Sequence, residues 1–221
     1  MRTLPVFAAL SFLAAGTALA TPYTITAQLV GDIRADNPDN LFVDVTITGD
    51  TTSNQATWVI DINSPLHPDI KLDEFYFNMA GDASAYSFSG FDPVGWTITA
   101  PATEVGAGGV SFMFESSDPA GAPNALDVTN TQNLTFTMTY SLGNLTADMF
   151  TTAPTALSND AGSGQLGAHL QSLSLAGCTG CSDSGFAFGN YVSGGGGNVP
   201  EPMSLALLGI GALAMARVRR R

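Results

Sequence analysis

The chain has 221 residues, 45% hydrophobic and only 12% charged, with a formal net charge of −12. That length fits one domain plus short flanking segments, and the apolar, β-branched content excludes a disordered polymer. The acidity excludes nucleic-acid binding: between residues 21 and 200, 18 acidic residues face only two basic ones, Arg34 and Lys71, a balance of −16.

The first twenty residues, "MRTLPVFAALSFLAAGTALA", read as a secretion signal. Arg2 forms a short basic start, residues 4–15 an apolar stretch, and Ala18, Leu19 and Ala20 a small-residue cleavage site. The segment is too short and wrongly flanked for a stable membrane span. The mature chain is expected to begin at Thr21 and to fold outside the cytoplasm, where disulfides persist.

From residue 21 to residue 192 the pattern has period 2. "YTITAQLV" puts Tyr23, Ile25, Ala27 and Leu29 on one face, and "LFVDVTIT" does the same with Leu41, Val43, Val45 and Ile47. The intervening loop "GDIRADNPDN" carries Asp32, Asp36 and Asp39, oxygen ligands of the calcium type. It lacks the spacing of a calcium loop, so a solvated loop is expected and no cofactor is assigned. "ATWVIDIN" aligns Trp58, Ile60 and Ile62; further strands are predicted over 70–78, 85–91, 95–100 and 109–116. "NLTFTMTYS" separates Leu134, Phe136, Met138 and Tyr140 from a hydroxyl face, and strands over 167–175 and 185–191 complete the series. About ten short strands separated by Gly-, Pro- and Asp-rich turns predict an all-β domain, an antiparallel β-sandwich or jelly roll over 21–192.

Few residues inside this domain suggest chemistry. His67 lies between prolines in a loop and His169 on a strand, and neither has a second histidine at metal-ligand spacing, so both are read as structural. Cys178 and Cys181 form "CTGC" in a Gly/Ser loop with no helix signal, so an oxidised loop clip is expected rather than a redox centre. Asp44, Asp61, Asp73, Glu74, Glu104 and Glu115 lie on or near strands, and nothing in the sequence selects a catalytic pair among them. No G-x-S-x-G turn singles out a nucleophilic serine. The domain is therefore expected not to be an enzyme.

"SGGGGN" (193–198) reads as a flexible linker. Beyond it, Val199, Pro200, Glu201 and Pro202 precede fourteen uncharged residues (203–216) and the cluster Arg217, Arg219, Arg220 and Arg221. As a helix those fourteen residues would span roughly 21 Å, short of a ~30 Å bilayer core unless the bilayer thins or the arginines snorkel. The arginines would hold the end of the chain in the cytoplasm.

This order resembles the PEP-CTERM sorting signal of bacterial secreted and surface proteins, over residues 199–221. The resemblance implies recognition by an exosortase, a membrane-embedded cysteine-dependent transpeptidase that cuts near Pro200, Glu201 and Pro202. It also implies transient anchoring in the inner membrane and delivery of the domain to the outer surface or the medium. "GAHLQSL" (167–173) followed by "SGFAFG" (184–189) resembles a β-rich body that recurs in such proteins, which supports the sandwich and supplies no activity. The expected role is a structural or adhesive component associated with extracellular polysaccharide. The alternatives are a carbohydrate-binding module, with Trp96 as the stacking platform because Trp58 alternates with Ile60 and Ile62 toward the core, or a secreted hydrolase.

Overall fold

The computed structural model describes residues 20–31, 41–101, 112–117, 126–152, 155–156, 163–174 and 182–194. The expected secretion signal up to residue 19, the Asp32, Asp36 and Asp39 loop, Glu104, the expected Cys178 and Cys181 clip and the expected C-terminal helix with its arginines lie outside the described residues.

The strands are β1 (Pro22–Gly31), β2 (Phe42–Asp50), β3 (Gln55–Ile62), β4 (Lys71–Phe77), β5 (Tyr86–Asp92), β6 (Thr97–Thr99) and β7 (Phe114–Ser117). They continue with β8 (Leu134–Tyr140), β9 (Thr155–Ala156), β10 (Ser163–Gly164), β11 (Leu166–Ser174), β12 (Ser182–Gly189) and β13 (Val192–Gly194). The expectation of an all-β antiparallel domain holds. The separation into two packed sheets does not: one path runs β5-β8-β3-β2-β1-β12-β11-β4-β7-β6, with β13 also paired to β1, and among the described residues only the short β9 and β10 pair apart from it. The physical reason is β1, which is ten residues long and pairs along its length with β2 and, near its end, with β12. Its ladder bridges what would otherwise be two sheets. The edge strands β5 and β6 are consecutive in the chain, joined by residues 93–96, so the sheet curls almost closed.

Alternation explains which face turns inward. In β1 every second residue from Tyr23 to Leu29 is buried, and in β2 Val43, Val45 and Ile47 are. The threonines between them face out, where a β-branched hydroxyl side chain suits a half-solvated pleat. Because the sheet folds over on itself, side chains of opposite walls meet in the middle as they would in a sandwich. Trp58 of β3 lies 4.7 Å, centroid to centroid, from Phe77 of β4 and 5.4 Å from Phe136 of β8. Phe114 of β7 meets Phe88 of β5 at 5.1 Å. Such pairs each add about 0.5–1.5 kcal/mol beyond burial of their area. A short 3-10 turn, Ala147–Phe150, brings Phe150 over one end of this core, 5.3 Å from Tyr191.

The ends of the domain are tied together. β13 pairs with β1 in the register Thr24↔Gly194, Ile25↔Ser193 and Thr26↔Val192. The first two residues of the stretch read as a linker are thus part of the sheet.

Candidate functional site

The outer face of β4 and β11 gathers the side chains most capable of chemistry. In the sequence "KLDEFYF", Leu72 faces the core, but the next core residue is Phe75, not Glu74. The break has a register cause. His169 of β11 pairs with Glu74, while its neighbour Leu170 pairs with Leu72, so Asp73 is an extra residue on β4. This β-bulge turns two adjacent acids toward one partner position. His169 Nδ1 lies 2.8 Å from Asp73 Oδ2 and 3.5 Å from Glu74 Oε2. The three side chains retain 18%, 31% and 22% of their exposure for His169, Asp73 and Glu74 respectively.

The surroundings fix this group. The Phe186 ring stacks on the His169 imidazole at 4.6 Å and 19°. Tyr76, fully buried on the same face, donates its hydroxyl to Glu74 Oε2 and stacks on Phe112 at 5.6 Å. Gln171 hydrogen-bonds Asp73. Burial works to lower the His169 pKa, but the hydrogen bonds and charges of Asp73 and Glu74 outweigh it and raise it to about 9. The hydrogen bond from His169 leads the causes that hold the Asp73 carboxyl below its ordinary range. These are the only His, Cys, Asp or Glu side chains among the described residues that cluster as a three-ligand set, with ligand atoms within 4.8 Å of one another.

The other carboxylates fall elsewhere. Asp44 and Asp61 are directly opposed on the outer face of β2 and β3. Amides satisfy Asp44: Gln28 Nε2 donates to one oxygen at 3.0 Å and Asn63 Nδ2 to the other at 3.2 Å. Burial, then the charge of Asp44, pushes the Asp61 pKa up. Glu115 is buried and accepts from the Ser117 hydroxyl at 3.0 Å. His67 is a loop staple, as read: its Nδ1 accepts the Ser174 amide at 3.1 Å and its backbone carbonyl accepts from Asn130.

Both tryptophans are interior. Trp58 is fully buried and Trp96 is 2% exposed, with its Nε1 donating to the Leu126 carbonyl at 3.3 Å. Neither offers a ring face to a sugar. A cavity of about 350 Å³ opens where the sheet fails to close, between β5 and β6. Phe88, Phe91, Ile98 and Phe114 form its apolar lining, and Ser87, Thr97 and Thr99 also border it.

The sequence alone leaves His169 and its two acids apart: the histidine reads as structural, and nothing selects a pair among the acids. The available signal was the pair of consecutive acids interrupting an alternating strand. It marks a bulge, but the strand opposite is fixed only by the fold.

Among the described residues no helix is long and apolar enough to cross a membrane. Comparison with curated proteins gave no match, and comparison with solved structures gave none either. Comparison with family models matched the PEP-CTERM protein-sorting motif at residues 198–221. This motif is the recognition signal for exosortase processing, and its match spans Val199, Pro200, Glu201, Pro202 and the four terminal arginines. It begins at residue 198, four positions beyond Gly194, where the last described strand ends. The chain carries a PEP-CTERM protein-sorting motif at residues 198–221, and that motif implies exosortase sorting and export to the cell surface or the extracellular space.

Proposed function

We propose that the β-domain is a non-enzymatic structural or adhesive component of an extracellular polysaccharide matrix. It is held transiently in the inner membrane by its C-terminal helix until the exosortase cuts. The observation that carries this reading is the sorting motif at residues 198–221, which commits the chain to the envelope exterior. Hydroxyl-rich outer strand faces, such as Thr135, Thr137 and Thr139 of β8, support contact with, or attachment of, sugars. The opposed Asp44 and Asp61 lie on an outer strand face and the former is satisfied by amides, an arrangement that favours solvation over acid–base work. Burial of Trp58 and Trp96 removes the platforms on which the carbohydrate-module alternative would rest.

Mass spectrometry of the protein from native envelope and medium tests the reading. The expected mature chain lacks the arginine cluster and carries covalent glycan or co-purifies with polysaccharide. A mature protein intact through Arg221 overturns the processing step. Cell aggregation and matrix yield unchanged on deletion of the whole gene overturn the structural role.

A further inference from the structure

We propose that Asp73, Glu74 and His169 form a binding site for one divalent transition-metal cation, with zinc as the reference ion. The site goes beyond the sorting and matrix reading and stands or falls separately from it. Three observations carry it.

The first is the donor geometry. One ligand atom from each of Asp73, Glu74 and His169 lies within 4.8 Å of the other two, and His169 Nδ1 is 2.8 Å from Asp73 Oδ2 and 3.5 Å from Glu74 Oε2. Adjacent ligands bonded at ~2.0–2.2 Å around a tetrahedral zinc stand ~3.3–3.5 Å apart, so side-chain rotations suffice to seat the ion. The second is preorganisation. The β4 bulge presents Asp73 and Glu74 as neighbours on one face. Tyr76 and Gln171 hydrogen-bond the two carboxylates, and the Phe186 ring sets the imidazole plane. Ligating carboxylates are commonly oriented by such outer hydrogen bonds. The third is charge. Two carboxylates neutralise a divalent ion, and a nitrogen donor favours zinc, cobalt or nickel over calcium and magnesium.

The group is partly exposed, with 18–31% of side-chain surface open, so water completes the coordination of a three-ligand site. Binding replaces the proton shared between imidazole and carboxylates, which leaves to solvent as the ion enters. The consequence for the protein is a clamp between β4 and β11.

The test uses the full-length chain in detergent with Cys178→Ser and Cys181→Ser, so that thiols cannot supply the ligands. Zn²⁺ is titrated by calorimetry and Co²⁺ by visible absorption. The expected result is saturation at one equivalent, cobalt ligand-field bands without thiolate charge transfer, and a zinc-dependent rise in melting temperature. His169→Gln and Asp73→Asn abolish the one-equivalent uptake. Tyr76→Phe, which removes only an outer hydrogen bond, weakens it ~10-fold or more. Asp44→Asn, on the far side of the sheet order, leaves it unchanged. Uptake that persists in His169→Gln overturns the site, and so does the absence of saturable uptake in the parent chain. Should His169→Gln fail to fold, Glu74→Gln and the cobalt spectrum of the parent decide the matter.

Discussion

At Gly189 the backbone of β12 runs so close to β1 that a Cβ there would lie 2.5 Å from the Gln28 carbonyl oxygen. A backbone atom cannot rotate away, so any side chain must push the two strands apart. Gly189→Ala is expected to lower stability by about 1–3 kcal/mol, read as a lower denaturant midpoint with unchanged slope. A second residue-scale expectation concerns alkaline pH. Burial, then the charge of Asp50, raises the Tyr23 phenol to about 12, and burial raises Tyr86 to about 12 as well. Burial also raises Tyr76 and Tyr191. A folded-state pKa above the unfolded value of 10.0 means that the protonated phenol favours the fold. Stability from these groups is therefore complete below pH ~10 and is lost as pH climbs through 12. A spectrophotometric titration should show the buried phenols ionising together with unfolding; ionisation near the ordinary value with the fold intact would refute their burial. None of the residues in the Asp73, Glu74 and His169 group could be paired from the sequence, because they come from strands 96 positions apart and their meeting depends on register.

Element by element, legibility followed the regularity of the ladder. β1, β2, β3 and β8 are uninterrupted, so the residues that alternate in the sequence are those buried, with Tyr140 at the end of β8 half-buried. β4, β5 and β11 each carry a register shift against a partner, and there alternation misassigns the residues past the shift. In β5, Gly90 at φ 67° marks the irregularity that lets Phe88 and Phe91, three residues apart, both pack on the core. In β11 the shift lies between Leu170 and Leu173, where Ser172 takes φ 60°. That left-handed conformation costs an L-residue roughly 1–2 kcal/mol, and a β-branched one more. Ser172→Val should therefore destabilise the domain by about 1–3 kcal/mol, whereas Ser172→Gly should be neutral or stabilise it by up to ~1 kcal/mol. Thermal unfolding of the two variants checks this. Equal melting temperatures would mean that residue 172 is an ordinary strand position.

For the molecule as a whole, the sorting motif at residues 198–221 is legible in the sequence, because composition changes abruptly from hydroxyl-rich strands to glycines and then to an apolar run. That the sheet is one continuous ladder is not legible there, since the pairing of β1 with β12 and β13 joins segments from opposite ends of the chain. That pairing changes the mechanics of sorting. The last strand ends at Gly194, so only five residues, 195–199, separate the sheet from Pro200. Fully extended, five residues reach at most ~18 Å, about the width of four strands. On the proposed anchoring of residues 203–216 in the inner membrane, so short a connection would hold the body against the membrane, and the motif would reach the exosortase only across that gap. Deleting Gly195, Gly196 and Gly197 leaves at most ~7 Å. The body should then collide with the enzyme or have to unpair β13, and uncut precursor should accumulate on immunoblots of the envelope fraction. Replacing the three glycines by Ser-Gly-Ser keeps the reach and should keep processing. Cleavage of the deletion variant at the parent rate would mean that β13 detaches from β1 before the enzyme acts, which protection of the Thr24 and Thr26 amides from hydrogen exchange in the full-length precursor would then contradict.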